Sequence, residues 1–75
     1  MLNLKKENYF TVFVNGEAFN CSQFMSIKDL LIYLNFNLKT VIIEYNESII
    51  NISTFDKIIL KNHDTIEVIT IVGGG

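Results

Sequence analysis

Few residues in this chain could do chemistry, and the most telling of them lie at its end. Three of its four glycines are its last three residues, Gly73, Gly74 and Gly75. Glycine loses the most entropy on ordering, so a packed domain has no use for a run of it there. An arm without side chains suits a different task. It can thread a narrow channel in a partner and carry the Gly75 carboxylate to a buried active site, with nothing at Cβ to obstruct attack on that carbonyl. The bland alternative is a frayed end with no role. Cys21 could be a redox thiol, but no cation flanks it in sequence, and a small apolar strand residue is the simpler reading. His63 has no visible nucleophile to serve and reads as a turn residue. Asp56 and Asp64 could pair as acid and base, but turns use aspartate routinely.

Composition narrows the classes. Seventy-five residues make one small domain, too short for a cleft between lobes. A hydrophobic share of 49% against 19% charged residues excludes a disordered chain. No apolar run reaches the roughly 18–20 residues of a membrane span, so a soluble protein without a membrane role is expected. The net charge of −2 argues against nucleic acid as a partner. One cysteine cannot close an internal disulfide, and one cysteine with one histidine cannot build a zinc site, so no metal is expected. The opening Met1-Leu2-Asn3-Leu4-Lys5-Lys6 has neither the apolar core of a signal peptide nor the bias of a transit peptide, so secretion is not expected. All six basic residues are lysine, and isoleucine and asparagine are heavily used, as an AT-rich genome dictates.

The elements that must position the tail are legible in outline. Phe10–Val14 and Glu17–Cys21 flank Asn15-Gly16, a strong hairpin signal. Val12 and Val14 pointing inward would put Thr11 and Phe13 on the other face. Ser26 offers an N-cap, with Asp29 three residues on as an acidic near-match to a capping box. Ile27, Leu30, Leu31 and Leu34 then fall on one helical stripe, giving one amphipathic helix over about residues 26–35. Val41–Tyr45 predicts a third strand whose continuous apolar start fits a central strand covered on both sides. Ser48–Ile52 reads as a short edge strand, Ser53–Asp56 as a turn, and Lys57–Leu60 as another short strand. Asn62-His63-Asp64 marks a turn before a last strand, Ile66–Val72. One helix on one sheet gives a two-layer α+β domain. If Ile66 and Val68 pack under the helix, Glu67, Ile69 and Ile71 face outward with Phe13, forming an apolar docking face rimmed by charge.

This pattern resembles the ubiquitin-like β-grasp proteins, small ββαβ…β chains whose last strand runs into a terminal Gly-Gly. Ile66-Glu67-Val68-Ile69-Thr70-Ile71-Val72-Gly73-Gly74-Gly75 is similar to the closing motif of the thiamine-pathway sulfur carriers, the ThiS family. Asn62-His63-Asp64 is similar to that family's Asp-Gly-Asp turn, Val14-Asn15-Gly16-Glu17 to its opening hairpin, and Val41–Asn46 with Ile49-Ile50 to its middle strand pair. The resemblance covers roughly residues 10–75. Residues 1–9 precede it, His63 stands where glycine is common, and proline is absent.

The resemblance implies a β-grasp domain over 10–72, an N-terminal extension of unknown role at 1–9 and a flexible glycine tail at 73–75. It implies a sulfur carrier that performs no catalysis and binds no cofactor. An E1-like adenylyltransferase would adenylate Gly75 with ATP. A sulfur donor of the cysteine desulfurase type would convert it to a thiocarboxylate, and thiazole synthase would accept the sulfur. Gly73 and Gly74 would thread the partner's active site, and Phe13, Glu67, Ile69 and Ile71 would dock. A monomer is expected when free. The AT-type composition, not the resemblance, sets the compartment expected: a plastid if the chain is organelle-encoded, otherwise a bacterial cytoplasm. The alternatives are a carrier like the small subunit of molybdopterin synthase, whose Pro-containing stretch is missing here, or a ubiquitin-like modifier or plain interaction domain.

Overall fold

Asn15 and Gly16 take φ of 51° and 82°, the left-handed conformations that fold β1 (Tyr9–Val14) back onto β2 (Glu17–Ser22) in an antiparallel hairpin. The computed structural model describes residues 9–22 and 24–71, with the backbone alone for Ser22. The expected tail glycines Gly73–Gly75, Val72 and residues 1–8 lie outside the described residues. The helix α1 spans Ile27–Tyr33, and Ser26 caps it. The capping box is complete: the Asp29 amide donates to Ser26 Oγ at 3.0 Å, and the Ser26 amide donates to Asp29 Oδ2 at 3.1 Å. After a one-turn 3-10 helix at Leu38–Thr40 come β3 (Val41–Tyr45), β4 (Ser48–Ile50), a second 3-10 turn at Ile52–Thr54 and β5 (Thr65–Thr70).

The five strands form one mixed sheet in the order β2-β1-β5-β3-β4. β5 enters the centre last, parallel to β1 and antiparallel to β3. Its backbone pairing with β1 covers only Phe13–Thr65 and Val14–Ile66. Asn15 extends it, since its amide donates to the Ile66 carbonyl and its side-chain oxygen accepts from the Val68 amide at 2.8 Å. One asparagine thus shapes the turn and holds the central strand.

The core lies between α1 and one face of the sheet. Val12, Val14, Cys21, Ile43, Ile66 and Val68 meet Ile27, Leu30 and Leu31, and Phe55 and Leu60 are buried with them. The alternation expected for β1 and β5 and the helical stripe are borne out, with Leu34 half-buried at the C-cap.

Two expectations are corrected. β3 is not covered on both sides: Ile43 is buried, while Ile42 is 38% exposed on the open face. The sheet carries its single helix on the other face, so both parities of an apolar run cannot be buried there. Lys57–Leu60 is not a strand. It makes one isolated bridge, Ile59 to Ser26, while the Ile27 amide donates to the Ile58 carbonyl and the Leu60 amide to the Met25 carbonyl. Its backbone groups are spent on the entry to the helix.

Candidate functional site

The two faces of β5 separate packing from surface. Ile66 is fully buried and Val68 nearly so, whereas Glu67, Ile69 and Ile71 are exposed, as their spacing predicts. Ile71 follows the strand, and its amide donates to the Thr40 carbonyl at 2.8 Å, so the ladder continues one step toward the glycine tail. Phe13 belongs to the same open face but is half-buried, and it pairs with Ala18 and with Thr65 at the start of β5. It therefore lies at the opposite end from Ile69 and Ile71. The lateral neighbour of Ile69 is Ile42, and that of Glu67 is Glu44, which in turn faces Ile49 on the edge strand. These three residues were missed because the apolar run Val41-Ile42-Ile43 hid the parity of β3. The available signal was Glu44, which shares a face with Ile42 two residues away and not with Ile43.

The turn that launches β5 is built around Asp64, which is 5% exposed. Tyr45 Oη donates to its Oδ2 at 2.6 Å, the Lys61 amide donates to the same oxygen at 2.7 Å, and Asn46 Nδ2 donates to Oδ1 at 3.1 Å. Burial by itself would raise the Asp64 pKa. The hydrogen bonds from Tyr45, Lys61 and Asn46, with the Lys61 charge, outweigh it and hold the carboxyl below its ordinary range. Tyr45 is pushed up by burial and by its bond to Asp64, so its hydroxyl stays a donor. Asn46 also accepts from the Thr65 amide at 2.8 Å, tying the β3–β4 turn to the first residue of β5. This node fixes where the last strand starts, and with it the register of the open face.

The lesser candidates resolve as structural residues. Cys21 is buried, and burial pushes its thiol up, which disfavours the nucleophilic thiolate. His63 is an exposed turn residue with φ 72°, and its amide donates to the Thr11 carbonyl. The carboxylate of Asp64 is occupied by Tyr45, Asn46 and Lys61, and Asp56 is not among its partners. Among the described residues, no group of three or more His, Cys, Asp or Glu could hold a metal ion, and no helix is long and apolar enough to cross a membrane.

A mixed five-stranded sheet with β5 inserted at its centre beside β1, and one helix across one face, defines a ubiquitin-like β-grasp protein. The model of the ThiS family matches residues 12–75. The chain belongs to the ThiS family, the sulfur carriers of thiamine biosynthesis. Among solved structures it is similar to the thiamine biosynthesis protein ThiS of Geobacter metallireducens, with a TM-score of 0.75 and 25% identity, over 88% of this chain and 100% of that one. The uncharacterized protein ycf40 of Trieres chinensis is 42% identical over 65 residues, 87% of this chain and 89% of that protein. A thiazole synthase of Magnetococcus marinus is 31% identical over 64 residues, 85% of this chain but 20% of that protein.

Proposed function

We propose that this chain carries sulfur as a thiocarboxylate on Gly75 and delivers it to thiazole synthase. The observation that supports this most is the family match, which runs through β5 and on to Gly75. A carboxylate is a poor electrophile, so it must first be activated. The E1-like adenylyltransferase would join the Gly75 carboxylate to the AMP moiety of ATP and release pyrophosphate. The terminal sulfur of a persulfide, charged by a cysteine desulfurase, would then attack the acyl carbon and expel AMP. A thiol would cleave the resulting acyl disulfide, leaving the thiocarboxylate on Gly75 and a disulfide on the partner side. Gly73 and Gly74 would thread the partner's channel, since neither carries a side chain. The protein is then a recycled cosubstrate, ATP is consumed by its partner, and no cofactor need reside in the domain.

Two further observations support the reading. In the Magnetococcus marinus relative, a segment similar to this chain lies within a much longer protein named thiazole synthase. Carrying donor and acceptor in one chain raises their effective concentration, which is useful where sulfur passes between them. The open face of Phe13, Glu67, Ile69 and Ile71, extended by Ile42, is the docking surface in this proposal. Ile69 and Ile71 are each about half exposed next to the tail. Ycf40 proteins belong to plastid genomes of algae, which supports a plastid as the compartment.

The test is mass spectrometry of the protein after incubation with ATP, the E1-like enzyme, a cysteine desulfurase, cysteine and a thiol. Methionine oxidation adds nearly the mass that sulfur adds on replacing oxygen, so the change must be localised to the Gly75 fragment. A thiocarboxylate there is expected. An unmodified Gly75, in a mixture that modifies a known carrier, would overturn the proposal. Deleting Gly75 should abolish the modification and leave the melting temperature unchanged.

A further inference from the structure

Glu44 on β3 and Glu67 on β5 stand directly opposite each other. The Asn46 amide donates to the Thr65 carbonyl and the Ile71 amide to the Thr40 carbonyl, and the ladder alternates between these two points. Glu44–Glu67 is therefore a hydrogen-bonded pair, with Cα atoms about 5.5 Å apart. Both side chains belong to the open face, because their neighbours Ile43, Ile66 and Val68 supply the buried one. Like charges placed opposite each other destabilise a sheet. Among the described residues the single ion pair is Lys61–Asp64, and neither Glu44 nor Glu67 has a hydrogen-bonded side-chain partner. The acidic pair is thus a cost to the isolated fold.

Its surroundings give that cost a use. One step along the same strands, Ile42 faces Ile69, and Ile49 faces Glu44 from the edge. Ile71 continues this apolar surface to within a few residues of Gly75. Covering the surface removes water from both carboxylates. A partner offering only apolar groups there would bury two unpaired like charges, which is strongly unfavourable. A partner offering one basic group would relieve the repulsion and gain attraction from both sides. The planar guanidinium of arginine, with five donors in a fork, matches two carboxylates better than a lysine ammonium does.

Resting on the sulfur-carrier reading, we propose that Glu44 and Glu67 together receive one basic side chain of the activating enzyme, an arginine in preference to a lysine, when the Ile42–Ile69–Ile71 face docks. The pair fixes the register of that complex, and so the approach of the tail to the adenylating site. The isolated domain is less stable for holding it.

The experiment uses the full chain and its Glu44→Gln, Glu67→Gln and doubly substituted variants. Melting temperature is measured on each, and the Kd for the organism's own E1-like adenylyltransferase is measured at about 0.1 M and about 1 M salt, where the Debye length is about 10 Å and 3 Å. Each single variant should melt about 1–6 °C higher than the parent. Each should also bind about tenfold more weakly at low salt, and the double variant should lose most of the salt dependence. Unchanged Kd values, or melting temperatures that fall, overturn the proposal. A parent chain that fails to bind the activating enzyme, in an assay where a known carrier binds, would instead overturn the sulfur-carrier reading.

Discussion

Alternate residues of β5 meet two different demands. Ile66 and Val68 pack against Ile43 and the α1 stripe, while Glu67 and Ile69, each one position away, face outward beside Glu44 and Ile42. The acidic residues repeat the contrast. Asp64 sits in a ring of donors from Tyr45, Asn46 and Lys61, whereas Glu44 and Glu67 oppose each other with no basic partner among the described residues. On the covered face, among the described residues, no buried side-chain polar atom lacks a partner and the apolar residues form one cluster, so changes there act on stability. On the open face two carboxylates stand opposite each other beside an exposed apolar row, and on the docking proposal changes there act on what the face meets.

The sharpest way to break this contrast is to cut the covered face. Leu31 is fully buried at the centre of the helix stripe. Leu31→Ala should cost about 2–5 kcal/mol, part lost transfer energy and part residual cavity. Urea unfolding checks it, and a near-neutral result would mean that the helix does not hold the domain together. Asp64→Asn comes next, at about 1–3 kcal/mol, because Tyr45 and the Lys61 amide lose a charged acceptor in a buried place. Its pH dependence has a definite sign. The folded carboxyl titrates below its ordinary value of 3.8, so its contribution is complete above that value and is lost as pH falls through the folded one. Acid titration followed by circular dichroism should show the parent losing stability in that window and Asp64→Asn losing less.

Ser26→Ala should cost about 1 kcal/mol. One half of the capping box disappears, since the Asp29 amide loses its side-chain acceptor, while the backbone amide of residue 26 still donates to Asp29 Oδ2. Thermal melting checks this, and an unchanged midpoint would show that the bridge to Ile59 alone fixes the helix entry.

What could be read in advance followed from local rules. The Asn15-Gly16 hairpin, the Ser26 cap and the Ile27–Leu34 stripe each depend on residues at most eight positions apart, and the structure has all three. The parity of β5 was legible because charge interrupts the apolar run at Glu67. The parity of β3 was harder to read, because Val41-Ile42-Ile43 is apolar on both sides and only Glu44 at its end marks the open face, which the pairing with β5 then fixes. Lys57–Leu60 has the composition of a strand, but its backbone partners are Ser26 and the residues on either side of it, some thirty positions away in sequence. Asp64 read as an ordinary turn residue. Its role emerges only when Tyr45 and Asn46 arrive from a different hairpin. The site was legible to the same extent: Glu67, Ile69 and Ile71 from alternation, but Ile42, Glu44 and Ile49 not, since each joins the face through a cross-strand register.

The smallest expected change in stability sharpens the contrast most. Ile69 is 48% exposed, so much of its side chain already meets water in the free domain. Ile69→Thr keeps a β-branched residue suited to a strand and removes apolar area chiefly from the open side. Its effect on unfolding should stay within about 0.5 kcal/mol. If the open face is a docking surface, the same substitution removes an apolar contact from the middle of the interface and places a hydroxyl beside Ile42. Affinity for the activating enzyme should then fall about tenfold or more, with adenylation slowed at low protein concentration and restored when the carrier is raised. A large loss of stability would mean that Ile69 supports the sheet itself. Unchanged stability with unchanged affinity would mean that the partner holds the carrier elsewhere, and that the exposed row on β5 is ordinary surface.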